Sequence, residues 1–174
     1  MEKLMQMEGM FLSKLLFRGV TSNDIEVCKN KDIVQEKINC VHLSMVFQCE
    51  DQQFYLNFAL QTYETTGYYT MYKYLMNISD IPNNNKSLEN YIFYGRPVSE
   101  ENIYQTDVNS VINSIEIYRK LARNKIDSET YESIEQDHIL VFYLDNQKTI
   151  AIYPQNDMSG LINVKIVDLY DFIN

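Results

Sequence analysis

The sequence has no tryptophan, only two histidines and few glycines. The histidines, His42 and His138, lie far apart in the chain, so a site built from several imidazoles has little material. The five glycines are isolated, and none belongs to a GxGxxG or GxxxxGK pattern, which would cradle a phosphate group. We therefore expect neither a nucleotide-binding loop nor a bound cofactor or metal.

Cysteines and long apolar runs are also scarce. The three cysteines, Cys28, Cys40 and Cys49, are odd in number and show no CxxC spacing, which predicts free thiols in a reducing compartment. Acids and lysines interrupt the apolar N-terminal segment, as Glu8 and Lys14 do, so a signal peptide is not expected. No run approaches the ~20 apolar residues of a membrane span. The expected location is the cytoplasm, without membrane contact.

Apolar, aromatic and acidic residues, in contrast, are abundant. Apolar residues make up 45% and aromatics 13%, which predicts a packed core and a single domain over 1–174. The net charge of −9 disfavours nonspecific contact with nucleic acid or anionic lipid, because both carry negative charge themselves. A protein partner with a basic surface is the macromolecule that this charge accommodates best.

Several segments show the three- and four-residue apolar spacing that is typical of amphipathic helices. The predicted helices are 1–18, 67–78, 88–94, a run from Asp107 to Lys125, and 128–136, with a helical turn at 169–173. The run from Asp107 has the clearest pattern. Asp107 is the predicted cap, and basic residues cluster at the C-terminal end of the run. One helical face is formed by Val108, Val111, Ile112, Ile115 and Ala122, with Tyr118 and Leu121 at its edge.

Other segments alternate with the period of a β-strand. One predicted hairpin pairs 40–48 with 53–61 across a turn at 49–52, and a second pairs 139–144 with 149–153 across 145–147. A last strand is predicted at 164–167, and an exposed loop is predicted at 83–85. Because strands form antiparallel pairs and do not alternate with helices, the predicted fold class is α+β.

One predicted strand face carries Cys40, His42 and Ser44. A Cys–His pair can activate a thiolate nucleophile. Side chains two residues apart on a strand lie roughly 7 Å apart, too far for the direct hydrogen bond that activation requires. A half-buried strand face is the favoured interpretation.

Glu132, Glu135 and His138 recur every third residue and have the side chains of metal ligands. On a helix, steps of three residues drift by about 60° each, so the three groups would fan out and not converge. A solvated helix face is favoured over a metal site.

Tyrosines are dense between Tyr63 and Tyr74. Exposed tyrosines can stack on unpaired bases, but such platforms normally lie in a positive groove, and residues 50–72 contain no lysine or arginine. Tyrosine also brings large rigid contact area to protein interfaces. We therefore predict that Tyr68 and Tyr69 contact a protein partner.

The most distinctive feature is a change of charge along the chain. Residues 126–147 contain six acids and no lysine or arginine, directly after a cluster of bases at 119–125. The helix dipole can explain both clusters, because it favours bases at the C-terminus of one predicted helix and acids at the N-terminus of the next. The functional interpretation is that the acids steer a basic partner. The predicted partner-binding acids are Asp127, Glu129, Glu132, Glu135 and Asp137.

Two function classes remain open on these grounds. The first is a small acidic, non-enzymatic interaction protein, such as a phage-type inhibitor of defence nucleases or an immunity protein that neutralises a toxin. Such proteins cover basic surfaces that have evolved to hold phosphate. The second is a small hydrolase with a carboxylate-based site assembled from distant residues.

Overall fold

The computed structural model describes residues 2–20, 37–63, 71–82, 92–93, 96–97, 103–125, 129–154 and 160–168. Within these ranges the chain forms one short helix and eleven strands. In chain order they are α1 (Glu2–Met5), β1 (Phe11–Arg18), β2 (Lys37–Cys40), β3 (His42–Cys49), β4 (Gln52–Tyr63), β5 (Met71–Ser79), β6 (Ile92–Phe93), β7 (Arg96–Pro97), β8 (Ile103–Lys125), β9 (Tyr131–Leu144), β10 (Lys148–Pro154) and β11 (Ile162–Asp168). The predicted α+β class is wrong, because the described chain is almost entirely antiparallel sheet.

The predicted helices account for most of this error. In place of a helix over 1–18, the chain forms the single turn α1 and then β1. The helices predicted at 67–78, 107–125 and 128–136 are replaced in the described residues by β5, β8 and β9. Of the helix predicted at 88–94, the described part is β6, which pairs with β7. The turn predicted at 169–173, the loop at 83–85 and residues 67–70 lie outside the described ranges.

The apolar pattern of β8 resembles that of a helix because the strand is irregular. Its pairing with β9 shifts between Ile112 and Ser114, and again between Tyr118 and Arg119. The inward-facing positions therefore fall at 112, 115, 117, 120 and 122, mixing steps of two and three residues. β-Bulges break the strict alternation of strand faces in this way. Steps of three residues are also typical of an amphipathic helix, so the apolar pattern of β8 wrongly predicts a helix.

The pairing of both predicted hairpins is confirmed, although the first strand begins at His42 and not at Cys40, and its turn is only Glu50 and Asp51. β3 pairs with β4 from His42–Ala59 to Cys49–Gln52, and β9 pairs with β10 across the predicted turn at 145–147. In the second turn the side-chain oxygen of Asn146 accepts a hydrogen bond from the N–H of Lys148 at 3.1 Å. Gln147 adopts a φ of 64°, the left-handed conformation that tight hairpin turns require. The last predicted strand is confirmed as β11.

The main sheet has nine strands in the order β2-β11-β10-β9-β8-β1-β3-β4-β5. A single residue, Val41, separates β2 at one edge from β3 near the other. The N–H of Val41 donates hydrogen bonds to the carbonyls of Arg18 and Gly19. β2 pairs with β11, whereas β3 pairs with β1. Val41 therefore connects the two ends of the series β2-β11-β10-β9-β8-β1-β3, and these seven strands form a closed ring.

The core fills the inside of this ring. Most of its members are inward-facing strand residues with almost no exposure, including Leu12, Leu15, Phe17, Leu43, Met45, Phe47, Phe58, Ile112, Leu140, Phe142, Ile150, Ile152 and Val164. The rings of Phe58 and Phe142 meet edge to face, with centroids 6.4 Å apart. This contact joins β4 to β9 across the interior, so the two halves of the sheet share one core.

Candidate functional site

The hairpin of β8 and β9 extends past its neighbouring strands. β1 pairs with β8 only over 103–111, and β10 pairs with β9 only over 140–143. Residues 119–125 and 131–137 pair with each other and, among the described residues, with no third strand. We call this part of the hairpin the distal ribbon. The outward side of this ribbon presents side chains such as Leu121 and Glu135, which the described strands do not cover.

The structure divides the predicted acidic cluster. Successive side chains of a strand point to opposite faces, so acids three residues apart cannot share one. Glu132 pairs in register with Asn124, whereas Glu135 pairs with Leu121. All of Glu129, Glu132 and Glu135 are exposed. Asp127, together with Tyr68 and Tyr69, lies outside the described residues.

The basic cluster of β8 lies beside these acids. Arg119 binds Asp137 through a 3.0 Å contact between Nε and a carboxylate oxygen, and both side chains are partly exposed. The register also places Arg123 opposite Ser133 and Lys125 opposite Tyr131. A surface pair of this kind contributes about 0–1 kcal/mol. The distal ribbon therefore carries both signs of charge, and the predicted separation into two helix ends is wrong.

Exposed apolar area on the hairpin was not anticipated by the sequence pattern. Leu121 is 70% exposed and Tyr118 45% exposed. Leu121 lies between Lys120 and Ala122, which face inward, and so it points away from the core beside Glu135. The helical interpretation had placed Tyr118 and Leu121 at the edge of a buried face. An isolated exposed leucine is common, but here it is combined with an exposed tyrosine and carboxylates.

At the base of the ribbon, two phenols converge on one carboxylate. The hydroxyls of Tyr118 and Tyr143 donate to the same oxygen of Glu116, at 2.6 and 2.9 Å. The hydrogen bond from Tyr118 first, and that from Tyr143 second, lower the pKa of Glu116 below its ordinary value. Burial and the hydrogen bonds around it raise the pKa of the Tyr143 phenol. Glu116 thus stays ionised and held in one orientation.

We call Glu116, Tyr118, Leu121, Glu135 and Tyr143 the outer face of the hairpin. Of these residues, Glu135 alone is a contact residue predicted from the sequence. Glu116, Tyr118 and Leu121 fall in the helix predicted from Asp107 to Lys125, and Tyr143 falls in the strand predicted at 139–144. Period-two alternation around Tyr143 was the one available signal, because it places Tyr143 opposite in direction to its buried neighbours Phe142 and Leu144.

Replacing Tyr118 by phenylalanine is expected to raise the pKa of Glu116, because it removes the hydrogen bond that stabilises the carboxylate most. Tyr143→Phe is expected to raise the same pKa by less. The measurement is the pH titration of the Glu116 side-chain carboxyl carbon by NMR. Tyr153→Phe is the matched control, and it should leave the titration of Glu116 unchanged. An unaltered Glu116 pKa in Tyr118→Phe would contradict the geometry.

The predicted strand face of Cys40, His42 and Ser44 is buried more deeply than expected. Cys40 and His42 lie at the bend where β2 meets β3, with 0% and 5% exposure. The Ser44 hydroxyl donates to the side-chain oxygen of Asn57 at 2.5 Å. Burial, with a smaller contribution from the charge of Arg18, lowers the pKa of His42 to about 4. Cys40 ends β2 and belongs to the apolar core cluster, whereas His42 and Ser44 lie on β3 outside that cluster. The predicted common strand face is therefore wrong, and these buried residues supply no solvent-accessible nucleophile.

His138 has a role that its spacing from Glu132 and Glu135 did not indicate. It lies on β9 facing β5, and its Nδ1 shares a 2.5 Å hydrogen bond with the Tyr72 hydroxyl. Tyr74, two residues along β5, donates to the backbone carbonyls of His138 and Ile152. We call the contact between β5 and β9 the seam. In the described part of the chain, no group of three His, Cys, Asp or Glu side chains could hold a metal ion.

The seam also shows that two of the tyrosines between Tyr63 and Tyr74 are not exposed contact residues. Tyr72 and Tyr74 are almost completely buried and meet edge to face, with ring centroids 6.3 Å apart. Their faces are therefore not open to nucleic-acid bases or to a partner surface. Burial raises the pKa of Tyr74 above its ordinary value, with smaller contributions from Tyr72 and Asp137. These two tyrosines join the edge strand β5 to β9.

Comparison of the chain with models of protein families, with curated proteins and with solved structures gives no match. Helices long and apolar enough to cross a membrane are absent from the described residues.

Proposed function

We propose that the protein is a non-enzymatic interaction protein that binds a basic protein surface through the outer face of the β8–β9 hairpin. The observation that carries this proposal is the combination of two exposed side chains, Tyr118 and Leu121, with the carboxylates of Glu116 and Glu135. This combination lies on a hairpin that extends past its neighbouring strands.

The residue types match those that contribute most at interfaces. Tyrosine is enriched at binding hot spots, and an apolar side chain such as Leu121 can fill a pocket of the partner. Exposed acids such as Glu129 and Glu132 then accelerate the encounter with a positive surface. The net charge of −9 acts in the same direction over a longer range.

The partner class that this charge favours is a larger nucleic-acid-handling protein. Clefts that hold phosphate are lined with lysine and arginine, and an acidic protein that covers such a cleft competes with the nucleic acid. The chain would then act as a stoichiometric inhibitor or neutraliser. Asp127, Tyr68 and Tyr69, which lie outside the described residues, remain predicted contact residues.

The alternative, a carboxylate-based hydrolase, receives less support from the hairpin. Such an enzyme needs an acid and a base within reach of the same substrate bond. The strand geometry of β9 places Glu132 and Glu135 on opposite faces, and Asp137 is bound to Arg119. Among these acids, none is positioned opposite another.

Changing Glu129, Glu132 and Glu135 together to lysine is expected to slow association with the partner by roughly tenfold or more at low salt. The effect should shrink as the salt concentration rises, because ions screen exposed charges. A panel of purified nucleases with basic clefts supplies the test. Surface plasmon resonance measures the association rate, and substrate cleavage measures inhibition at increasing ratios of protein to nuclease.

The control is Asp51, Asp80 and Asp168 changed together to lysine, since all three are exposed and lie off the ribbon. It changes the net charge equally and should have a much smaller effect. Equal rates for the two triple variants would remove the ribbon from the interface. Tight, salt-sensitive binding of DNA or RNA by the natural chain would refute the partner class.

A further inference from the structure

We propose that two copies of the chain pair along the free edge of β5, antiparallel to each other and related by a twofold axis. β5 is an edge of the nine-stranded sheet, and within the described residues β4 is the only strand with which it pairs. The other edge strand, β2, has only four residues and continues through Val41 into β3. β5 has nine residues, so it offers the longer open edge.

The backbone groups of β5 alternate between β4 and the open side of the sheet. The N–H of Tyr72 donates to the side-chain oxygen of Gln136 on β9, so it points away from β4. In an antiparallel ladder, residues of this kind alternate with residues bonded to the neighbouring strand. β5 pairs with β4 without a register shift, so the N–H and C=O groups of Tyr74, Met76 and Ile78 also point away from β4. At Met76 and Ile78 they meet no other strand of the described chain, and a further strand can bind them.

Exposed apolar side chains follow the same edge. Leu75 is 45% exposed, Ile78 40% and Ile81 59%. Leu75 lies on the opposite side of β5 from the buried Tyr74, whereas Ile78 lies on the same side as Tyr74. Sheet edges are usually protected by charges, prolines or bulges, but β5 contains one charged residue, Lys73, and neither a proline nor a bulge. A strand added here would cover apolar side chains on both sides of the sheet.

The charges at the two ends of β5 favour a second copy of the chain as the added strand. β5 contains no acid, although the whole chain carries a net charge of −9, so the edge itself does not repel another copy. Lys73 near the start of β5 and Asp80 directly after its end are both exposed, and neither forms an ion pair within the described part of the chain. Antiparallel pairing of two identical strands places the start of each beside the end of the other. Lys73 of each copy then meets Asp80 of the other copy, and the twofold axis makes two such pairs.

The open part of the edge also limits the register of this pairing. The seam occupies the N-terminal half of the edge, so the pairing is centred on Met76 or on the residue after it. In both registers the residues that point away from β4 face each other, as an antiparallel ladder requires. Lys73 is then opposite the residue just before or just after Asp80 of the second copy. A lysine side chain reaches such a diagonal neighbour.

The test is sedimentation equilibrium of the natural chain at concentrations up to about 1 mM, which detects any dimer with a dissociation constant below that value. A single strand pair is small beside a standard interface of roughly 800 Å² per partner, so we expect a weak dimer in the micromolar range. Amide hydrogen exchange at Met76 and Ile78, followed by NMR, should be slower in the dimer than in the dilute chain. A chain that stays monomeric, or a dimer that leaves exchange at these two residues unchanged, would overturn the proposal.

Exchanging the two charges tests the second copy as the occupant. Lys73→Glu and Asp80→Lys are each expected to weaken dimerisation by roughly tenfold, because each places two pairs of like charges across the twofold axis. The double variant restores both ion pairs in reversed order and should dimerise as the natural chain does. Asp51→Lys, at an exposed position in the turn between β3 and β4, alters the net charge as Asp80→Lys does and should not weaken dimerisation. A double variant that dimerises no better than the single variants would refute the antiparallel arrangement.

A proline in β5 tests the backbone pairing separately from the charges. Ile78→Pro removes an N–H that points away from β4, and edge strands tolerate proline at such positions. It is expected to weaken dimerisation by roughly tenfold or more, since the second strand loses hydrogen bonds on both sides of the axis. Ile78→Ala keeps the N–H and should weaken dimerisation less. Equal effects of the two substitutions would show that the edge is not paired. None of these residues belongs to the outer face, so the outcome leaves the proposed function untouched.

Discussion

Leu140→Ala is expected to lower the free energy of unfolding by about 2–5 kcal/mol, the range for removing a buried leucine side chain without refilling the space. Leu140 has 0% exposure and lies between Ile117 of β8 and Ile152 of β10 in the register. Few atoms can move to fill the cavity, because the ring of strands constrains the neighbouring backbones. Chemical denaturation, followed by circular dichroism, measures the loss as a lower midpoint with an unchanged slope.

The same substitution at Leu121 is the matched control. Leu121 lies on the same hairpin but is 70% exposed, so Leu121→Ala is expected to change the unfolding free energy by no more than about 0.5 kcal/mol. The pair also tests the fold. In the helical interpretation of 107–125, Leu121 borders the buried face, and its truncation would be costly. Equal losses at the two positions would contradict the strand assignment of β8.

Short regular strands were predictable because their signals are local. In β3 and β4 the alternation of apolar residues agrees with the turn between them. The turn at 145–147 likewise has the chemistry that tight hairpins need. Each of these signals lies within about ten residues of the element it specifies. Agreement between local pattern and turn chemistry is what makes such hairpins recognisable.

The long strands were not predictable, because two causes act together there. Because the pairing of β8 with β9 is irregular, Ile112 and Ile115 both face the core although they are three residues apart. This spacing mimics one turn of a helix. The capping residue Asp107 and the bases near Lys125 then added agreement at both ends. In the fold, the pairing of β8 with β1 and β9 overrides these local preferences, as tertiary contacts commonly do.

The candidate site was predictable only in part. Exposed acids such as Glu129 and Glu135 follow from charge alone, but their distribution over two faces depends on the strand geometry. The seam could not be found in advance, because Tyr72 and His138 lie 66 residues apart and meet only when β5 packs on β9. Contacts that are so distant in sequence leave no spacing signal.

Acidification from pH 7 to pH 4 is expected to lower the stability of the protein by about 3 kcal/mol through His42 alone. Burial at the bend between β2 and β3 first, and the positive charge of Arg18 second, lower the pKa of His42 from 6.5 to about 4. Between these two values the unfolded chain binds a proton that the folded chain does not. The stabilising contribution is therefore complete above pH 6.5 and is lost as the pH falls towards 4.

His42→Phe keeps an aromatic ring that cannot be protonated, so it is expected to remove this part of the pH dependence. The buried Nδ1 of His42 has no hydrogen-bond partner, so the substitution breaks no bond at that atom. Urea denaturation at several values of pH measures the effect as the difference in slope between the variant and the natural chain. The other histidine provides the control, because His138→Phe should retain the slope that His42 causes. A natural chain whose stability is flat over this range would show that His42 is protonated in the fold, and hence that the bend at Val41 is open to water.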